Sequence, residues 1–127
     1  MSRWTIAVAA LVVAVVPSAP VAHAKDDDRR EAEVSGVCSQ GARWDLAAKT
    51  RDGRTEIEFD VDSRRRGQRW TYSISQDGTT VTSGARRPRG GSFRVRYRGG
   101  AGAGQSSVTA RAQSSRTAEI CLGTLQL

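Results

Sequence analysis

The sequence predicts an all-β fold, a two-layer antiparallel sandwich of short strands. Three observations predict it. Apolar residues recur at every second position in runs of six to eleven residues, the period of a half-buried strand. Gly, Asp, Ser and Arg separate the runs, and no window carries an apolar repeat of 3.6 residues. Two cysteines, Cys38 and Cys121, stand near the ends of the stretch that holds the runs.

The elements follow in order. Met1–Thr5, with Arg3 as its charge, precedes an unbroken apolar run from Ile6 to Val16. Pro17 to Pro20 breaks that run, and Ala22-His23-Ala24 has the small-x-small form of an export cleavage site. Eleven residues fall well short of the roughly 20 that a spanning helix needs. The expectation is a signal peptide over 1–24, cut before Lys25, and a secreted, extracellular protein. No cysteine follows the apolar run to take a lipid, and no sortase-like motif appears. A charged, disordered tail is expected over 25–32, and one domain over 33–127.

The expected strands are Glu33–Cys38, Arg43–Thr50, Thr55–Val61, Arg69–Ser75, Thr79–Ala85, Ser92–Arg98, Ser107–Gln113 and Thr117–Leu127. Trp44, Leu46 and Ala48 share one face of the second, and Ile57, Phe59 and Val61 one face of the third. Trp70, Tyr72 and Ile74 point inward from the fourth, and Phe93, Val95 and Tyr97 from the sixth. Asp52-Gly53 and Asp77-Gly78 are hairpin turns. Gly99–Gln105 reads as a flexible loop. Seven or eight such strands in about 100 residues point to an immunoglobulin-like sandwich, with a small closed barrel as the alternative.

A domain of this size has a marginal core. Two cysteines in an oxidising compartment are most simply one bridge, and no C-x-x-C is present. A Cys38–Cys121 disulfide would close a loop of most of the exported chain, a constraint of about 4–5 kcal/mol on loop-entropy arithmetic.

Several stretches span the expected domain: G-V-C-S at Gly36–Ser39, R-W-D-L-A-A-K at Arg43–Lys49, D-G-R-x-E-I-E-F-D-V-D-S at Asp52–Ser63, G-Q-R-W-T at Gly67–Thr71 and E-I-C-L-G-T-L at Glu119–Leu125. With them the chain resembles small exported immunoglobulin-like proteins of unknown function from high-GC Gram-positive bacteria. The resemblance implies fold and export and brings no catalytic residue. Small secreted sandwiches that inhibit proteases or amylases, or carry enediynes, have two disulfides where this chain has cysteines for one.

The chemistry is defined largely by what is missing. The single histidine, His23, lies in the expected signal. The exported chain then has no imidazole to activate a nucleophile or bind a metal, and neither cofactor nor metal is expected. No Asn is present to accept a glycan. The one catalytic opening is Glu56, Glu58, Asp60 and Asp62, at two-residue steps on one strand face, roughly 7 Å apart. A flat stripe is not a cleft, and Arg94, Arg96 and Arg98 form an opposite stripe on the sixth strand. A cross-strand charge ladder is the expectation, and the protein is read as non-enzymatic.

Charge is divided along the chain. Lys25–Asp62 has 7 basic and 11 acidic residues, whereas Ser63–Leu127 has 12 arginines and 2 acids. Antiparallel connections bring Arg64, Arg65, Arg66, Arg69, Arg86, Arg87, Arg89 and Arg116 to one end of the sandwich. Arginine forks match phosphate and carboxylate geometry, so these eight are the candidate polyanion-binding residues. The loops carry no aromatics for base stacking. The expected function is an extracellular interaction or structural module that takes an anionic cell-wall or extracellular polymer. The alternative is a secreted inhibitor or protein ligand of an extracellular enzyme.

Overall fold

Alternation of apolar and polar residues becomes eight strands in a computed structural model, which describes residues 29–100 and 106–127. The expected signal over 1–24, residues 25–28 of the tail and 101–105 of the glycine-rich loop lie outside the described residues. The strands are β1 (Arg30–Val37), β2 (Arg43–Arg51), β3 (Arg54–Asp62), β4 (Trp70–Gln76), β5 (Thr79–Arg86), β6 (Ser92–Gly100), β7 (Ser107–Ser114) and β8 (Ile120–Gln126). They form two antiparallel four-stranded sheets, β1-β2-β3-β6 and β5-β4-β7-β8. This is a sandwich and not a closed barrel, as the sequence predicts.

The order within the sheets differs from that of an immunoglobulin domain. There the second and third strands lie in opposite sheets; here β1, β2 and β3 form one meander. The cause is the turn at Asp52-Gly53, where φ is +51° and +74°. A two-residue loop with both φ positive is the tight hairpin connection, and it can join only neighbours in one sheet. The expected pairing of the third and sixth strands is present as β3–β6.

β1 begins at Arg30, three residues before the expected start and inside the stretch expected to be disordered. β2 extends to Arg51 and offers backbone partners as far as Thr50, which faces Arg30. Glu31 reaches Lys49 at 3.6 Å, and Ala32 packs against the core. At the other end of the chain, 115–119 is a turn and β8 starts at Ile120.

The core holds Leu46, Ile57, Phe59, Val61, Trp70, Ile74, Val95, Val108 and Leu125, all buried, with Phe93 5.9 Å from Trp70 between ring centres. The Cys38–Cys121 disulfide closes the β1/β8 side across 83 residues, with Cα atoms 4.4 Å apart. Trp44 fills the seam beside it. A Cβ added to Gly36 or Gly123 would stand 2.6 or 2.5 Å from the indole, so only glycine lets β1 and β8 close over that ring.

Candidate functional site

The three loops expected to meet at one end do so. β3 ends at Asp62, facing Ser92 at the start of β6, and β4 begins at Trp70, facing Arg86 and Ser114. The Ser63 N–H donates to Gly91 O at 3.1 Å, which ties 63–69 to 87–91. Gly91 has φ +88°, and a Cβ there would stand 3.0 Å from Arg65 O, so the two loops touch because this residue is glycine. The Ser115 N–H and hydroxyl both donate to Arg69 O, at 2.9 and 3.1 Å. A Cβ on Gly67 would stand 3.5 Å from the Arg116 guanidinium.

All eight candidate arginines are solvent-exposed, and none forms an ion pair among the described residues. The acids of the second half are spent elsewhere. Asp77 is in the β4–β5 turn at the far pole, where its carboxylate accepts the Ser107 N–H at 2.8 Å. Glu119 is 1 % exposed and accepts the N–H groups of Gln40 and Ala42, at 2.8 and 3.0 Å. It thereby clamps the β1–β2 turn to the turn before β8, beside the disulfide. Neither acid pairs with the eight arginines, and Asp62, just ahead of the first loop, accepts the Ser92 hydroxyl at 2.9 Å. Arginines thus outnumber carboxylates at the pole, and an excess of positive charge raises the local concentration of anions.

One member departs from the expectation of a free loop. Arg86 is the last residue of β5, not a loop residue, and its guanidinium lies 5.2 Å from the centre of the Tyr72 ring. The hairpin extends that far because Trp70 supplies a partner for residue 86. Arg64 has φ +54°. Its strained turn is held by Ser63, whose hydroxyl donates to Arg65 O and accepts the Arg65 N–H, both at 3.2 Å.

The other arginine stripe is arranged differently. Register sets Asp60 opposite Arg94, Glu58 opposite Arg96 and Glu56 opposite Arg98, as the ladder expectation requires. Arg94 forks onto Asp60, with Nε–Oδ1 at 2.6 Å and Nη2–Oδ2 at 3.0 Å, and meets Glu58 at 2.9 Å. Arg96–Glu58 and Arg98–Glu56 are looser, at 3.9 and 3.8 Å. The Asp60 hydrogen bonds, followed by the charges of Asp60 and Glu58, hold the Arg94 pKa above its ordinary value. Glu56, Glu58 and Asp60 thus face arginines on an open sheet surface, and Asp62 faces Ser92.

Sequence reasoning missed three features. Glu119 gave no signal, since a lone acid before an I-C-L run has no local pattern to mark it as buried. Gln68, between Arg66 and Arg69, is 2 % exposed and its Oε1 lacks a partner among the described residues, as does Trp70 Nε1. An open groove of about 1050 Å³ lies at the far pole, lined by Lys49, Arg51, Arg54, Glu56 and Arg98 among others. Its charges are partly neutralised by Arg51–Asp52 at 3.6 Å and Arg98–Glu56. It is remote from the arginine loops and too open to enclose a ligand. Among the described residues, no three His, Cys, Asp or Glu side chains are grouped to hold a metal ion, and no helix is long and apolar enough to cross a membrane.

No family model matches the chain, and neither a curated protein nor a solved structure is found to be similar to it.

Proposed function

We propose that this is a secreted, non-enzymatic interaction module that binds anionic polymers through its arginine pole. One observation carries the reading: seven exposed arginines from three touching loops, with Arg86 at the end of β5, share one end of the sandwich and have no carboxylate partner among the described residues. Guanidinium forks accept phosphate, sulfate and carboxylate oxygens in pairs. The ligand class is a chain of such groups and not a single small anion, because the charge is spread over three loops. Export rests on the apolar run before Lys25, on the expected cleavage site and on a disulfide that an oxidising compartment would preserve. The resemblance to small exported sandwiches of Gram-positive bacteria agrees with that assignment.

The test is a titration with labelled inorganic polyphosphate at several salt concentrations, read by fluorescence polarisation. Neutralised phosphates release counterions, so affinity is expected to fall steeply and log-linearly with salt. Replacing Arg64, Arg65, Arg66, Arg87, Arg89 and Arg116 with Ser is expected to weaken binding by at least tenfold without shifting the unfolding midpoint. Equal binding by wild type and variant, or no wild-type binding at low salt, overturns the proposal.

A further inference from the structure

The four edges of the two sheets are not equally protected. In an antiparallel pair, alternate residues turn their backbone N–H and C=O toward the partner strand, and the others turn away. Ser63 bonding to Gly91 sets that alternation for β6, so Arg94, Arg96 and Arg98 hold its outward positions. Cys38 bonding to Ala42 sets it for β1, whose outward positions include Glu31 and Glu33. On β5 the register shifts opposite Ile74 and Ser75, and this bulge interrupts the edge. Charges and bulges are the devices that keep an edge from pairing with another chain.

β8 has neither. Ser106 and Leu127 exchange both backbone bonds, at 3.3 and 2.8 Å, which turns Ile120, Leu122, Thr124 and Gln126 away from β7. Ile120 is satisfied by Ser39, which donates its N–H to Ile120 O and accepts the Ile120 N–H on Oγ, both at 2.9 Å. Leu122, Thr124 and Gln126 have no such cover among the described residues. All three are exposed, uncharged and regular, and Leu122 is 56 % exposed.

We propose that this edge pairs with β8 of a second copy, antiparallel about a two-fold axis through Thr124, making one eight-stranded sheet. That register uses all three free positions, with Leu122 facing the partner's Gln126 and Thr124 facing its own copy. It supplies about six backbone hydrogen bonds, two per facing pair, and the contact is self-complementary as a two-fold interface requires. Charge selects the occupant. β1 pairing with itself would oppose Glu31 and Glu33, and β6 with itself would oppose three arginines, whereas β8 opposes no charges. The Ile120 end of β8 lies at the arginine pole, so antiparallel pairing sends the two poles to opposite ends. Eight residue steps separate one Ile120 from the other, roughly 27 Å of strand, well beyond the screening length of about 8 Å in physiological salt. Two binding poles at the ends of one sheet would engage a long polymer with avidity, but the pairing does not depend on that function.

Sedimentation velocity of the oxidised protein across 1–500 μM is the measurement. A concentration-dependent species of twice the chain mass is expected. Thr124→Pro removes an N–H that points away from β7, so it is expected to stay folded by circular dichroism and run as the monomer. Leu122→Lys adds the charge that the other edges carry, and is expected to give a monomer too if the proline variant unfolds. A wild-type monomer at the highest concentration overturns the proposal. So does a dimer unchanged in Leu122→Lys, or a monomer whose β8 edge takes up only foreign peptide strands.

Discussion

Arg94, Arg96 and Arg98 on β6 and the arginines of the three loops carry the same side chain and have opposite fates. The strand group faces Asp60, Glu58 and Glu56 in register, and its charge is spent inside the molecule. The loop group forms no ion pair among the described residues: Glu119 is buried under two backbone N–H donors, and Asp62, just ahead of the first loop, accepts the Ser92 hydroxyl. Position in the fold, and not residue type, separates structural from available charge. A strand arginine inherits a cross-strand neighbour at about 5 Å. A loop arginine inherits none, and becomes available only when other contacts fix its loop.

The widest separation between the two groups is expected on breaking the disulfide. It anchors the pole to β8 and leaves the β3–β6 ladder untouched. A constraint of about 4–5 kcal/mol corresponds to a fall of well over 10 °C in Tm for a domain of this size. Below that lowered midpoint, reduced protein is expected to bind polyphosphate more weakly while its β3–β6 amides keep their hydrogen-exchange protection. Equal loss of protection in both regions would contradict the separation.

A smaller effect is expected from Glu119→Ala. Two buried or half-buried N–H groups lose their acceptor, which costs about 2 kcal/mol and loosens the same pole. Chemical denaturation would show it as a lower midpoint with an unchanged slope. An unchanged midpoint would mean that the clamp is dispensable beside the disulfide.

Replacing Arg94, Arg96 and Arg98 with Ser is expected to lower Tm by only a few degrees, since exposed pairs stabilise weakly, and to leave polyphosphate affinity unchanged. Because the Arg94 pKa is raised in the folded state, its contribution is complete throughout neutral pH. It is lost only as pH rises through that raised value, so a stability profile from pH 7 to 9 is expected to show no step from this group. Loss of polymer affinity in the triple variant would merge the two groups.

Arg86 tests the boundary between them. It belongs to a strand, yet stacks on Tyr72 and has no acid partner among the described residues. Arg86→Ser is expected to lower stability by about 0.5 kcal/mol through the lost ring contact, and affinity severalfold. A change in only one of these would assign Arg86 to a single group.

What the sequence determined by itself was periodic or singular. Strand faces follow from a two-residue repeat, so Ile57, Phe59 and Val61 are buried where alternation puts them. Complementary stripes on the third and sixth runs announce the ladder, because identical spacing lets charges meet in register. Two cysteines admit one disulfide, and it is present. The convergence of the arginine loops also follows, since antiparallel strands return their connections to alternate ends. Only the tertiary structure decided contacts between residues distant along the chain with no shared period. The order of strands was hidden although Asp52-Gly53 carried its signal, because a turn residue marks a local reversal and not which sheet receives the next strand. Burial of Glu119, the close approach at Gly91, and the exposure of the β8 edge depend on how the two sheets close upon each other. That closure reflects packing between 38–42, 63–69, 87–91 and 115–119, segments that no local pattern in the sequence links.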